Sequence, residues 1–241
     1  MMIKRLLICI LTLSIFGCNS KTKTTTPQKT YDNINIVGAM KNVMWKGELH
    51  DRINLDTIAN KKGLYGLGPA TYLTGELLIN NGASYVSKVT SDTTMTVIKT
   101  YENSAPFFVY ANVTDWENVP LSQSVKTISD IEDFVTAEAK HLKKPFAFKL
   151  TGKIAEATIH IQNLPEGSKV SSPKEAHQGQ TNYKLKNENA TIIGFFSTEH
   201  KGIFTHHDTN IHLHLITTDE RKMGHLDDVT IDNMTLYLPK Y

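Results

Sequence analysis

The chain has 241 residues, of which 40% are hydrophobic, with 26 Lys and Arg against 24 Asp and Glu, and with 10 His. This composition is typical of a globular protein and excludes wholesale disorder and collagen-like repeats. The near balance of charge gives no indication of a nucleic-acid partner. The length is sufficient to bury a sizeable core in one large domain or two small ones.

The N-terminus has the pattern of a secretory signal. Lys4 and Arg5 precede an apolar run, residues 6–16, that is too short to span a bilayer. The run is followed by Gly17-Cys18, which resembles the cleavage box of bacterial lipoproteins. We therefore predict a signal peptide over residues 1–17, a lipid on Cys18 and an extracytoplasmic protein anchored to a bacterial membrane. The alternative is an ordinary cleaved signal with a chance cysteine.

Residues 18–30 have no apolar side chain after Cys18 that could be buried in a core. This composition predicts a disordered tether. The folded domain is then expected over residues 31–241. Cys9 and Cys18 are the only cysteines, and both lie before that domain. Disulfides and thiolate metal sites are therefore excluded from the folded part, and any metal centre must use imidazole and carboxylate ligands.

One segment, residues 129–144, is typical of a helix. Ser129 and Glu132 have the spacing of a capping box, and Pro145 ends the pattern. A division into two domains near Pro145 is plausible, because a new series of strands begins there. The apolar stripe of this predicted helix consists of Ile131, Phe134, Val135 and Leu142.

Most of the remaining sequence predicts short strands, separated by Gly, Asn, Asp and Pro. Asn81-Gly82 favours a tight hairpin turn, because such turns need positive φ values. We expect an α+β fold, with mostly mixed or antiparallel β-sheet in two packed subdomains and few helices. Trp45, Tyr110 and Trp116 are assigned to the core. The predicted strands are 84–90, 94–101, 106–113, 146–151, 156–162, 190–196, 210–217 and 229–238.

The histidines concentrate between residues 206 and 225. Side chains alternate along a strand, so His212 and His214 should share one face while Ile211, Leu213 and Leu215 enter a core. Two imidazoles on one face can converge on one ion, and a turn before Gly224 would return the histidine that follows to their side. Three neutral imidazoles leave coordination positions open, as catalytic zinc requires. A solvated surface histidine pair remains the alternative.

At these residues the chain resembles the α-acetolactate decarboxylases, and the resemblance extends over residues 38–238. The histidine set His212, His214 and His225 reproduces the spacing of that family, with a Gly directly before the last of the three. Three further segments are similar to family motifs in the same order. They are Leu64-Tyr65-Gly66-Leu67-Gly68 with Gly75-Glu76-Leu77 and Asn81-Gly82, then Pro145 to Gly152, then Ile192 to Ser197.

The resemblance implies a zinc-dependent decarboxylase that converts (S)-2-acetolactate to (R)-acetoin and carbon dioxide, often as a homodimer. His212, His214 and His225 would hold the zinc, which would serve as the electron sink for the enediolate. Glu76 matches the metal-site glutamate of the family and is expected to steer or relay the proton that replaces the carboxylate.

Two departures from the family pattern concern substrate recognition. Eight positions after Gly152 the family usually has an arginine for the substrate carboxylate, and in this chain His160 stands at that position. A C-terminal tail whose glutamate reaches the metal site in the family has no counterpart by sequence. His177, His206 and His207 are candidates to compensate, and we expect His160 or His207 to supply an acid function or a hydrogen bond beside the metal.

Three functions therefore remain open. The first is a lipid-anchored acetolactate decarboxylase. The second is a zinc lyase or hydrolase of the same fold that acts on another hydroxy-keto acid. The third is a surface-tethered metal or ligand binder without turnover. Imidazole ligands suit zinc, copper, iron and nickel alike, so the sequence does not specify the metal.

Overall fold

A computed structural model describes residues 34–240, so the predicted signal peptide, the lipidated Cys18 and the tether lie outside the described residues. Two six-stranded antiparallel sheets and a short two-stranded sheet form most of this part. The α-helices there are α1 (Met40–Lys46), α2 (Ile128–Glu138) and α3 (Pro173–Ala176). The predicted fold class, mostly antiparallel sheet with few helices, is confirmed. Across residues 34–240, no helix has the length and apolar character needed to cross a bilayer.

The strands between residues 34 and 240 are numbered along the chain. They are β1 (Ile34–Val37), β2 (Ile53–Asn54), β3 (Leu64–Pro69), β4 (Glu76–Asn80), β5 (Ala83–Ser91), β6 (Thr94–Lys99), β7 (Ser104–Ala105), β8 (Phe108–Asn112), β9 (Trp116–Pro120), β10 (Phe146–Ile161), β11 (Thr181–Lys186), β12 (Asn189–Phe196), β13 (Ile211–Thr217) and β14 (Met223–Pro239).

The first large sheet has the strand order β1-β8-β3-β4-β5-β6. The predicted hairpin is confirmed between β4 and β5, where Asn80 pairs with Ala83 and the two turn residues Asn81 and Gly82 have φ values of 48° and 81°. Strand β3 was not predicted, because its glycines are typical of a turn. Gly66 is needed there for packing, since a Cβ atom would lie 2.6 Å from the Phe108 ring.

The second large sheet has the order β11-β10-β12-β13-β14-β9, and a further pairing of β10 with β14 joins β10, β12, β13 and β14 into a closed ring. The two predicted strands 146–151 and 156–162 are one continuous strand, β10. Its pairing with β14 shifts register between Lys153 and Ile154 and again before Ile159, which indicates β-bulges. A bulge interrupts the alternation of side chains, and this explains why the sequence pattern indicates two separate strands.

Two apolar clusters organise the molecule. The first, which we term the ring core, combines residues of β10, β12, β13 and β14 with Ile131 and Val135 of α2. The second lies between the two large sheets, since it joins Tyr65, Leu78 and Val109 of the first sheet to residues of the ring. The ring residues of this second cluster are Ala147, Ile193, Phe195, Ile216 and Met223.

Two details of the predicted helix and core are corrected. Helix α2 begins at Ile128 with Thr127 and Asp130 as its capping box, instead of Ser129 and Glu132, and ends at Glu138 before a short 3-10 turn. Glu132 instead accepts hydrogen bonds from the Asn210 backbone and side chain. Trp45 is 61% exposed and is not a core residue. Tyr110 and Trp116 are partly buried and pack against core clusters.

Candidate metal centre between the sheets

Strand β13 supplies two histidines to the space between the sheets. Ile211, Leu213 and Leu215 belong to the ring core, as the predicted alternation requires. His212 and His214 therefore project from the other face, the one that carries Ile216 into the cluster between the sheets. Both histidines are buried, which differs from a solvated surface pair.

His225 joins them from the neighbouring strand. In the antiparallel register of β13 and β14, His214 lies directly opposite His225. Gly224 permits this close approach, because a Cβ atom at that position would lie 2.5 Å from the carbonyl oxygen of His160 on β10. Nε2 of His212 and Nδ1 of His225 are 3.1 Å apart, and one ring nitrogen from each of the three histidines lies within 4.8 Å of the others.

The donor set fits a metal ion. Two nitrogens that bind one tetrahedral zinc at about 2.0–2.1 Å must lie roughly 3.3 Å apart, close to the separation between His212 and His225. Burial lowers the pKa of His214 to about 3 and holds the pKa values of His212 and His225 well below their usual range, with the neighbouring imidazoles acting in the same direction. The rings are therefore neutral and able to donate lone pairs. Nε2 of His214 has no hydrogen-bond partner among residues 34–240.

Glu76 faces this cluster from the first sheet. It begins β4, and the preceding Gly75 lies so close to β5 that a Cβ atom would collide with the carbonyl oxygen of Ser87. Oε2 of Glu76 lies 3.6 Å from Nε2 of His214, and Oε1 accepts a hydrogen bond from the backbone of Gln162 at 3.3 Å. Burial raises the pKa of Glu76 well above its usual range, the Gln162 hydrogen bond opposes this, and the Asp227 charge adds to it.

His160 occupies the opposite side of Glu76. It lies across from His225 in the pairing of β10 with β14, with the two ring centroids 4.6 Å apart. Nε2 of His160 is 4.0 Å from Oε1 of Glu76, and Nδ1 is 2.7 Å from Oδ1 of Asp227. The Asp227 side chain is 32% exposed. The order Glu76, His160, Asp227 therefore leads from the buried carboxyl to solvent.

A cavity of about 30 Å³ lies beside these groups. Part of its lining is polar, formed by Glu76, Gln162 and four of the histidines, and the rest is apolar. A volume of this size holds one or two water molecules, so a larger ligand must displace side chains. The unbranched side chains of Met40 and Met44 in α1 can move with little cost. The histidines are His160, His177, His206 and His225, and the apolar residues are Met40, Met44, Pro69, Leu73 and Phe107.

The remaining predicted histidines lie at different distances from the centre. His206 lines the cavity, and its ring centroid is 5.1 Å from that of His225. Burial lowers the pKa values of His206 and His177. His177 also lines the cavity, although it is exposed. His207 is exposed and lines a neighbouring pocket that includes Trp45 and shares His177 and His206 with the cavity. Its predicted catalytic role stays a prediction.

The sequence did not single out two residues of the site, Asp227 and Gln162. Asp227 follows His225 by two positions and lies at the β-bulge where the pairing of β10 with β14 shifts between Thr158 and Ile159. Gln162 follows His160 by two positions, directly after the end of β10. The spacing was available in the sequence, but only the register of β10 with β14 shows that both strands border one cavity.

Comparisons with known proteins relate this chain to one family. A family model described as α-acetolactate decarboxylase matches residues 37–241. The α-acetolactate decarboxylase of Lactococcus lactis subsp. cremoris is 28% identical over 181 residues, which cover 73% of this chain and 71% of that protein. The Brevibacillus brevis enzyme of the same name is 24% identical over 245 residues, covering 95% of this chain and 82% of that protein.

Solved structures show the same fold. The crystal structure of α-acetolactate decarboxylase from Bacillus subtilis aligns with a TM-score of 0.70 over 86% of each chain, at 24% sequence identity. A Staphylococcus aureus protein described as similar to α-acetolactate decarboxylase aligns with a TM-score of 0.69 over 85% of this chain and 84% of that one, at 17% identity. Because the family model spans most of the sequence, this chain belongs to the α-acetolactate decarboxylase family.

Proposed function

We propose that this protein is a metal-dependent decarboxylase that converts (S)-2-acetolactate to (R)-acetoin and carbon dioxide. The observation that carries the proposal is the convergence of three buried imidazoles beside a buried carboxyl group, at the edge of a small cavity. Buried unpaired polar groups are costly, and a bound ligand or ion offsets that cost. Membership of the family supports the same reaction.

His212, His214 and His225 would hold the metal, which we propose to be zinc. When bound, zinc would supply a Lewis acid that stabilises the negative charge that develops on the ketone oxygen as carbon dioxide leaves. The protein's own contribution is to fix the three rings. Two come from one strand and the third from its neighbour, and the register of β13 with β14 places His214 opposite His225.

Glu76 is proposed to deliver the proton. When the bond to the carboxylate carbon breaks, carbon dioxide leaves without its electron pair, and the remaining carbon must gain one proton per turnover. Glu76 lies at the cavity and its burial favours the protonated form by raising its pKa. Oε1 accepts a hydrogen bond from the Gln162 backbone, which fixes the orientation of the carboxyl group. A carboxyl group fixed in this way directs protonation to one face of the carbon.

His160 and Asp227 are proposed to resupply that proton. The separations are 2.7 Å from Asp227 to His160 and 4.0 Å from His160 to Glu76, and Asp227 reaches solvent. A hydrogen bond from Nδ1 to a carboxylate fixes the orientation of an imidazole ring. In His160 this bond to Asp227 leaves Nε2 facing Glu76. His160 would therefore contribute a proton path at the position where the family has an arginine.

The test is acetoin formation by the full-length protein with zinc, with a chelator and with zinc restored. We expect chelation to abolish production of acetoin from racemic acetolactate and zinc to restore it. We expect His160→Gln and Asp227→Asn to lower kcat by about 10²-fold or more with metal content unchanged. The exposed Asp228→Asn, next to Asp227, is the matched control and should retain activity. Full activity after complete removal of metal would refute the proposal.

A second candidate is the decarboxylation or hydrolysis of another hydroxy-keto acid. The presence of His160 in place of the family arginine favours it, because an imidazole lacks the bidentate geometry with which guanidinium binds a carboxylate. Turnover of a panel of 2-hydroxy-3-keto acids separates the two candidates. Metal binding without turnover of any of these acids would instead favour the third function, a metal or ligand binder without turnover.

We also propose that Cys18 carries lipid and that the protein is anchored outside the cytoplasm. The charged and apolar pattern before Gly17-Cys18 supports this. Labelling of cells with a radioactive fatty acid tests it. Incorporation into the wild-type protein and its loss in Cys18→Ser are expected, whereas equal labelling of both would contradict the proposal.

A further inference from the structure

Gln162 is a buried polar residue directly after the end of β10, and its side chain has no part in the proposed reaction. It follows His160 by two positions, and the intervening Ile161 belongs to the ring core. Gln162 therefore shares the face of His160, toward the cavity, which it lines. Only 4% of the residue is exposed.

A chain of amides fixes the orientation of the Gln162 side chain. Nε2 of Gln162 donates to Oε1 of Gln180 at 3.3 Å, and Nε2 of Gln180 donates to Oδ1 of Asn182 at 3.0 Å. Gln180 lies just after Gly179, which has a φ value of 74° and packs so closely on Asn163 that a Cβ atom would collide with the carbonyl oxygen there. The backbone thus holds Gln180 against the end of β10.

In this series of hydrogen-bonded amides, one acceptor atom of Gln162 has no donor. Oε1 of Gln162 is buried and has no hydrogen-bond partner among residues 34–240. The contact with Glu76 is made by the backbone N–H of Gln162, so the side chain is not needed for it. A buried acceptor without a donor destabilises a protein, and its position beside a cavity leaves it able to accept a hydrogen bond from a molecule bound there.

The chemistry of the proposed substrate identifies that donor. Ionised acetolactate has a carboxylate and a ketone, which only accept hydrogen bonds, and one hydroxyl group, which is its only donor. An acceptor in the cavity can therefore pair with the hydroxyl group alone, and it repels the carboxylate. A hydroxyl group can still donate its hydrogen when its oxygen lone pairs are engaged elsewhere.

We propose that Oε1 of Gln162 accepts a hydrogen bond from the substrate hydroxyl group, and that Gln162 thereby selects 2-hydroxy acids over the same acids without the hydroxyl. This inference rests on the proposed function. Gln180 acts as a positioning residue, because its carbonyl holds the amide hydrogens of Gln162 away from the cavity. Without Gln180 the amide can rotate and present a donor to the substrate.

The experiment uses two stable acids that differ by one hydroxyl group, 2-hydroxy-2-methylbutanoate and 2-methylbutanoate. Their Kd values are measured by calorimetry on the zinc-loaded, full-length protein, and acetoin formation is measured alongside. In Gln162→Met, which keeps the side-chain length, we expect the preference for the hydroxy acid to fall about 10- to 100-fold. Binding of 2-methylbutanoate should change little. Gln180→Met should reduce the preference in the same direction by a smaller factor.

The exposed Gln178→Met is the matched control, and it should keep the wild-type preference. An unchanged ratio of the two Kd values in Gln162→Met overturns the inference. If that variant does not fold, an unchanged ratio in Gln180→Met overturns it instead. If the wild-type protein forms no acetoin but its preference for the hydroxy acid still depends on Gln162, the proposed decarboxylase activity is refuted. Gln162 would then remain a contact for the hydroxyl group of hydroxy acids.

Discussion

The two faces of strand β13 lie in very different surroundings, although they belong to the same seven residues. Ile211, Leu213 and Leu215 enter a fully apolar core, whereas His212 and His214 enter a buried space that holds Glu76, His160 and His225. Burial is nearly complete on both sides. On the apolar face it stabilises the fold, at roughly 25 cal/mol per Å² of area removed from water.

On the histidine face the same burial has a cost, because the imidazoles lose water and keep few hydrogen bonds. The comparison shows that a single strand can provide stability with alternate residues and chemistry with the residues between them. The protein is therefore expected to gain stability when an ion binds at the histidine face, whereas the packing of the apolar face should not change.

The largest expected effect is on the histidine face. His214→Gln removes a central ligand, and we expect metal affinity to fall by more than the roughly 10- to 100-fold seen when only a supporting partner of a ligand is removed. Acetoin formation should be lost with it. Metal content by mass spectrometry and circular dichroism of the variant check this. Full metal occupancy in His214→Gln would show that the three histidines are not the binding set.

The adjacent residue provides the opposite test. Leu213→Ala leaves a cavity in the ring core and should lower the free energy of unfolding by about 2–5 kcal/mol. The folded variant should bind metal as the wild type does, since Leu213 does not face the site. Urea unfolding and metal titration at low temperature measure the two quantities. A loss of metal affinity without a loss of stability would contradict the separation of the two faces.

The pH dependence of stability in the metal-free protein should come mainly from the histidine face. The pKa of His214 is lowered to about 3, so below pH 6.5 the unfolded state binds the proton and the folded state does not. Stability is then present above pH 6.5 and lost as the pH falls. At pH 5, this one residue lowers the free energy of unfolding by about 2 kcal/mol relative to its value well above pH 6.5.

Glu76 acts in the opposite direction, because its raised pKa lets the folded state keep a proton that the unfolded state releases above pH 4.5. Glu76→Gln should therefore steepen the acid loss of stability. Urea unfolding at pH 5, 6 and 7 provides the measurement. A flat profile in Glu76→Gln would argue against neutral, buried imidazoles.

The smallest expected effect concerns helix α2, which packs on the ring core. Thr127→Ala removes the observed N-cap and should cost about 1 kcal/mol of stability. Ser129→Ala is the matched control and should change stability by less than about 0.5 kcal/mol. Metal affinity should stay constant in both. If Ser129→Ala were the more destabilising change, the cap inferred from the sequence would be the correct one.

Local patterns in the sequence predicted part of this molecule. The alternation along β13, the Asn81-Gly82 turn and the existence of α2 follow from the spacing of neighbouring residues. The continuity of β10 did not follow, because β-bulges break its pattern. Gln162 and Asp227 were not identified as site residues, because their proximity to Glu76 depends on which strands pair and how the sheets pack. Trp45 was wrongly placed in the core, since aromatic character alone does not determine burial.

The register of β13 with β14 makes the position of His225 depend on the length of the connection between them. Residues 218–222 form that connection, and His225 lies opposite His214 only while its length is kept. Deleting one residue there would shift β14 by one place and turn His225 toward the apolar interior, because successive side chains alternate. Such a chain would retain every ligating residue and every motif, yet it would have lost the geometry that lets them act on one ion.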